Sequence, residues 1–188
     1  MKKKTFKALC CVLSLSLLIG VFTGCSQSIS NTDKQSQVTK LSKTVKSKDN
    51  VCQINIPDSW SEDKTLNSEA VLQVANKSEE KYLIVIEENK SDFSNSANLD
   101  DYYSIVSKHL TSSITNANAG TAKDITINGK KAKQFEISGE VQKIKASYII
   151  TLVETDKHLY QVISWSLTSK FDQNKKDLND VINTFKEL

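Results

Sequence analysis

The sequence predicts an α+β fold: an antiparallel sheet of six to seven strands with helices on both faces, an α/β/α sandwich. Three observations lead there. Short runs alternating apolar and polar residues recur between positions 51 and 169, separated by turn signals, the pattern of antiparallel strands. Two of those runs, KYLIVIEE (81–88) and HLYQVISWSLTS (158–169), are apolar on both sides, so both faces of the sheet need cover. Two amphipathic segments, one between strands and one at the C-terminal end, can supply it.

The elements follow in order. VCQINI (51–56) alternates as a strand, and Pro57-Asp58-Ser59-Trp60 stops it, because proline cannot continue a paired ladder. EAVLQVA (69–75) reads as a second strand. KYLIVIEE is the third, with Leu83 and Val85 facing one way and Tyr82, Ile84 and Ile86 the other. Asn98 then caps a helix over LDDYYSIVSKHLTSSI. Its side chain can accept from first-turn N–H groups, and Asp100 and Asp101 suit the positive end of the helix. Leu99, Tyr102, Tyr103, Val106, Leu110 and Ile114 gather on one side at helical spacing. KDITI, Asn128-Gly129 and KKAKQFEISG form a hairpin on a favoured two-residue turn. The run 141–155 follows as a strand. The last strand, 158–169, points Leu159, Ile163, Trp165 and Leu167 one way and Tyr160 and Val162 the other. Residues 171–188 place Leu178, Val181, Ile182, Phe185 and Leu188 on one helical face, with Ser169 or Asp172 starting the helix.

Upstream of this domain (51–188) the chain has a different character. Lys2, Lys3, Lys4 and Lys7 precede an apolar run at 8–22, and the run closes on Thr23-Gly24-Cys25. A basic start, an apolar core of about 15 residues and a small-residue exit make residues 1–24 a secretory signal peptide, too short to span a bilayer. VFTGC also resembles the lipobox of bacterial lipoproteins, with Phe22 where leucine is usual. That resemblance implies cleavage before Cys25 and acylation of its thiol by diacylglycerol. The protein is then expected at the extracytoplasmic face of the cell membrane, carrying palmitate-type chains. Residues 26–50 contain no aromatic, Gly or Pro, and with Cys25 they read as a flexible polar tether reaching about 25–30 Å.

Charge and composition exclude several functions. The chain has 25 cationic residues, all Lys, against 22 acids; four Lys and no acid lie in 1–24. What remains is close to neutral, so no nucleic-acid footprint survives. Without Arg, the residue best shaped for bidentate phosphate recognition is missing. The Asn-rich, all-Lys composition suits an AT-rich, Gram-positive source. Cys52 is the one cysteine beyond Cys25, so no disulfide is expected within the domain, and its strand context reads as core. A Cys52–His158 pair is the only nucleophile arrangement on offer, and no G-x-S-x-G turn is present. His109 is expected on an exposed helix face. The acidic pairs Glu79-Glu80, Glu87-Glu88 and Asp100-Asp101 do not read as metal sites, since neighbours on a strand point to opposite faces. Gly120, Gly129 and Gly139 make no phosphate loop. The Lys pairs at 130–131 and 175–176 read as a solvated hairpin and helix face. Trp165 reads as core, and Trp60 as either a lid over the core or a contact surface.

At this point the order of elements resembles the PsbP-like fold, an antiparallel sheet with helices on both sides. INIPDSW resembles that group's strand-Pro-x-x-Trp opening, and DITINGKKAKQFEIS its central hairpin. HLYQVISWSLTSKFDQNKKDLNDVINTFK resembles its closing strand and helix, which end in a small hydroxyl residue and Phe, here Thr184-Phe185. The likeness covers about residues 51–188. Plant and cyanobacterial members of that group assist the oxygen-evolving photosystem as extrinsic proteins, so the resemblance implies a non-catalytic domain that binds a membrane-side partner. It carries over no binding residue. The expected function is therefore an accessory or protein-binding lipoprotein of the cell envelope, without catalytic residue, cofactor or metal. It is attached to the membrane through Cys25 and has an envelope protein as its partner. The alternative is a lipoprotein that binds a small ligand or wall polymer in a pocket between sheet and helix.

Overall fold

Alternation along the strands sets the scaffold of the computed structural model, which describes residues 40–93 and 98–188. The order is β1 (Leu41–Lys46), β2 (Cys52–Pro57), β3 (Ser61–Glu62), β4 (Leu72–Asn76), β5 (Lys81–Asn89), α1 (Leu99–Ser113), β6 (Thr115–Ala119) and β7 (Lys123–Ile127). Then come β8 (Lys130–Val141), β9 (Ile144–Glu154), β10 (His158–Leu167), α2 (Phe171–Ile182) and β11 (Lys186–Glu187). Among the described residues the strands form two antiparallel sheets. The larger has eight strands in the order β3-β4-β5-β10-β9-β8-β6, with β7 also paired to β8; the smaller is β1-β2-β11.

The two faces of the large sheet build two cores, divided as residue parity requires. On one face Leu83, Val85, Tyr160 and Val162 pack with Leu178, Val181 and Ile182 of α2, and with Cys52, Ile54 and Ile56 of the small sheet. On the other face Ile84, Ile86, Leu159, Ile163 and Trp165 pack with Tyr102, Val106 and Leu110 of α1. Helices therefore cover both faces.

Local chemistry agrees with the reading at several ends and turns. The Asn98 side chain accepts the N–H groups of Asp100 and Asp101 at 2.9 and 3.0 Å. Asn128 and Gly129 have φ of 47° and 79°, the positive pair that a type I′ hairpin turn demands. Gly139 has a different reason: a Cβ there would lie 2.7 Å from the carbonyl oxygen of Thr115, so its strand can approach β6 only without a side chain. The hydroxyl-Phe ending also has a use. Thr184 Oγ1 accepts the Asn55 N–H at 2.8 Å and joins the end of α2 to β2, while Phe185 packs its ring 5.0 Å from that of Tyr160.

Four expectations are corrected. The tether does not extend to residue 50, because Leu41–Lys46 is a strand paired to β2, and Ser47 Oγ accepts the N–H groups of Val51 and Cys52 at the turn between them. The large sheet has eight strands rather than six to seven, since β3 and β6 pair through backbone alone, with side chains almost wholly exposed. The C-terminal helix is not started by Ser169 or Asp172. A 3-10 turn over Thr168–Lys170 leads into it, with Lys170 at the N-cap and no side-chain cap bond. Finally, α2 stops at Ile182, and Leu188, half-exposed, lies beyond the short strand β11.

Candidate functional site

One face of the large sheet is only partly roofed by helix. A helix is about 10–12 Å across and strands lie about 4.8 Å apart, so one helix covers little more than two strands. Helix α1 lies over β6, β8 and β9. The core on this face also takes in Leu66 and Ala70 of the 63–71 loop and Phe93. That loop is pinned down by Gln73, whose Nε2 donates to the Asn67 carbonyl at 2.7 Å and whose Oε1 accepts the Asn67 N–H at 2.9 Å. Leu66 is thereby buried against the sheet.

Between α1 and this loop remains a hollow of about 60 Å³. Its floor is Ile86 and Glu88 of β5 with Gln161 and Ile163 of β10; its walls are Tyr102, Val106 and Leu110 of α1, Phe93 and Asn67. Ile105, also lining it, is 44% exposed, a large apolar side chain on the solvent side of an otherwise well-buried helix stripe. The polar atoms are concentrated at Glu88. Tyr102 Oη donates to Glu88 Oε2, and Gln161 Nε2 donates to the same oxygen at 3.1 Å. Neither donor is charged, and among the described residues no cation forms an ion pair with this half-buried carboxylate.

Two other polar clusters are held by ion pairs. A cleft of about 320 Å³ lies where the β4–β5 turn meets the start of α2. In it Lys81 sits between Glu79, at 2.6 Å, and Asp177, while Lys170 pairs with Glu80 at 3.2 Å. Burial alone would pull the Lys81 ammonium down, but its bonds to Asp177 and Glu79 outweigh that and raise it. At the opposite end of the α2-side core, His158 occupies both ring nitrogens. Nε2 faces Glu87 at 3.3 Å and Nδ1 faces Glu187 at 3.1 Å. The cluster fastens β11 to the large sheet.

The residues singled out from sequence divide plainly. Cys25, the expected lipidation residue, lies outside the described residues, as does the expected signal peptide (1–24). Cys52 is fully buried opposite Glu187, and burial pushes its thiol up to about 11. It stays protonated at neutral pH, the wrong state for a nucleophile, and His158 is engaged by carboxylates. Trp60 is 1% exposed and closes the α2-side core, so it forms no contact surface. Trp165 is core, stacked 5.3 Å from Tyr82. The expected exposed position of His109 is corrected: it is half-buried and lines the hollow. Of the Lys pairs, Lys175 meets Glu136 at 2.5 Å and Lys176 meets Asp180 at 2.7 Å, while Lys130 is 4.0 Å from Glu187. Sequence reading missed the group formed by Glu88, Tyr102, Gln161 and Ile105. Two signals pointed to it: Glu88 shares strand parity with Ile86, and Ile105 falls off the apolar stripe of its helix.

The PsbP family model matches residues 39–187. Cyanobacterial PsbP (CyanoP) from Synechocystis is similar in fold, with a TM-score of 0.59, 13% identity, and coverage of 84% of this chain and 98% of that one. LpqN of Mycobacterium tuberculosis, a protein involved in cell envelope biogenesis, gives 0.56 at 11% identity, covering 77% of this chain and 88% of LpqN. A protein of unknown function from Pseudomonas aeruginosa, PA94, gives 0.50 at 10% identity over 70% of this chain and 88% of its own. Among curated proteins nothing matches the sequence. No helix among the described residues is long and apolar enough to cross a membrane.

Proposed function

The chain belongs to the PsbP family, and we propose that it is a non-catalytic protein-binding module of the cell envelope, held at the membrane by a lipid on Cys25. The observation that carries this reading is the hollow beside α1 with Ile105 exposed at it. Small-molecule sites generally enclose about 300–1,000 Å³. A hollow of about 60 Å³ has room for one aliphatic side chain, the size of a single anchor residue from a protein partner. The likeness to LpqN, itself involved in cell envelope biogenesis, supports the location. Two acyl chains on Cys25 suffice for stable anchoring. Since β1 begins at Leu41, the start of the domain stays within about 58 Å of the lipid whatever path residues 26–40 take.

Crosslinking in cells tests the module and the anchor together. The wild-type protein should retain a specific partner that Ile105→Glu loses, while Cys25→Ala should leave the membrane fraction. Equal capture by wild type and Ile105→Glu would exclude the α1 face as the contact. Mature Cys25→Ala protein remaining in the membrane would exclude the lipid. The size of the polar cleft at α2 favours a second reading, a small-ligand or wall-polymer binder. A thermal shift with purified wall polymer, lost in Lys170→Ala, would favour it over the first.

A further inference from the structure

The groove beside α1 is largely apolar; its polar lining comes from Asn67, Tyr102, His109, Gln161 and Glu88, of which Glu88 is the one carboxylate. Ile86, Ile163, Val106 and Leu110 offer only hydrocarbon, whereas Glu88 holds a carboxylate against them. Among the described residues, both hydrogen bonds to that carboxylate reach Oε2, from the uncharged donors Tyr102 Oη and Gln161 Nε2. Oε1 has no hydrogen-bonding or ion-pair partner among the described residues and is not sealed from solvent. A half-buried carboxylate in apolar surroundings interacts more strongly with a cation than one in bulk water does. The groove's other dimension is its size, about 60 Å³, which accepts a branched aliphatic side chain and little more.

Resting on the reading of this groove as a protein-docking site, we propose that its occupant is a partner segment carrying a leucine or isoleucine next to a lysine or arginine. The aliphatic side chain fills the hollow under Ile105, and the cation pairs with Glu88 Oε1. Tyr102 and Gln161 hold the carboxylate in place by occupying its other oxygen, so it is oriented before the partner arrives. A neutral groove would accept any apolar residue; the carboxylate makes the choice depend on what stands beside it.

The test uses the full chain, solubilised with its anchor, against a synthetic peptide array. Each peptide has Leu or Ile at its centre, and Lys, Arg, Gln or Glu at the neighbouring positions. Peptides with Lys or Arg should bind about tenfold more tightly than those with Gln, the size of one charge-assisted hydrogen bond, and Glu peptides should bind weakest. Glu88→Gln keeps an acceptor for Tyr102 and should abolish the difference between Lys and Gln peptides while leaving the need for the aliphatic residue. Ile105→Glu should lower binding of all of them. Absence of a basic preference in the wild type, including absence of any binding, overturns the proposal. So does a preference that persists in Glu88→Gln. If the preference is absent while crosslinking in cells is still lost in Ile105→Glu, the docking site stands and only its charge specificity falls.

Discussion

At the scale of single residues, burial decides what chemistry a side chain retains. Cys52 is the clearest case, a potential nucleophile by type that is fully enclosed between β2 and the α2-side core. Burial stabilises the neutral thiol, so its value of about 11 leaves a negligible thiolate fraction at neutral pH. Native protein at pH 8 should therefore resist iodoacetamide and react fully only after unfolding in urea, as mass spectrometry of the alkylated chain would record. Rapid native alkylation would return Cys52 to the candidates for a nucleophile. Cys52→Ser should cost about 1–3 kcal/mol in urea unfolding, because a stronger polar group then sits in the same apolar site. The core role of Cys52 was legible from VCQINI, where alternation puts it with Ile54 and Ile56. The role of Glu88 was not, because an acid at the end of a strand normally faces water. Only the packing of α1 and the 63–71 loop around it makes it part of a groove.

At the scale of elements, legibility followed apolar periodicity. Helix α1 was readable because Leu99, Tyr102, Val106 and Leu110 repeat at helical spacing and are all buried. Strands β1 and β6 were not, because LSKTVK and TNANA present almost no apolar alternation and are held by backbone pairing to β2 and β8. The turn at Gln142-Lys143, with φ of 52° and 70°, lacks the Asn-Gly signature, so the sequence reading puts the break between β8 and β9 at Glu140, slightly before its place in the structure. Strand β11 is too short to have a period at all. It is held by Leu188 N–H to Val51 carbonyl and by Glu187 on His158. Burial alone would raise the Glu187 carboxyl, but hydrogen bonds from His158 and Thr155 outweigh it and lower it below the ordinary value of about 4.3. A carboxylate depressed in the folded state adds stability that is fully present above its unfolded pKa and lost as pH falls through the folded one. Thermal unfolding of wild type and Glu187→Gln should therefore differ most above about pH 5 and converge as pH drops below about 4. A constant difference across that range would mean that the carboxylate charge contributes nothing to holding β11.

At the scale of the molecule, the question is where the folded unit begins. Composition put the boundary at Val51, whereas the structure begins its first strand at Leu41 and the family match starts at residue 39. The difference matters energetically, because β1 supplies more than an edge. Val45 is buried in the α2-side core, and Lys43 Nζ donates to the carbonyls of Trp60 and Asp58 at 2.5 and 3.0 Å. Ser47 closes the β1–β2 turn through two backbone N–H groups. Removing residues 1–50 exposes one side of β2, leaves the N–H groups of Val51 and Cys52 without their acceptor, and frees the loop carrying Trp60. Burial of one valine contributes about 1.5–3 kcal/mol and each hydrogen bond about 1, so the loss should exceed about 2 kcal/mol even after solvent replaces some bonds. A chain beginning at residue 40 should unfold in urea at the same midpoint as the full-length domain. A chain beginning at residue 51 should unfold at a clearly lower midpoint, with a smaller m-value because less surface is buried in its native state. Equal midpoints for the two chains would make β1 an appendage, and the sequence-derived boundary at 51 the true edge of the domain.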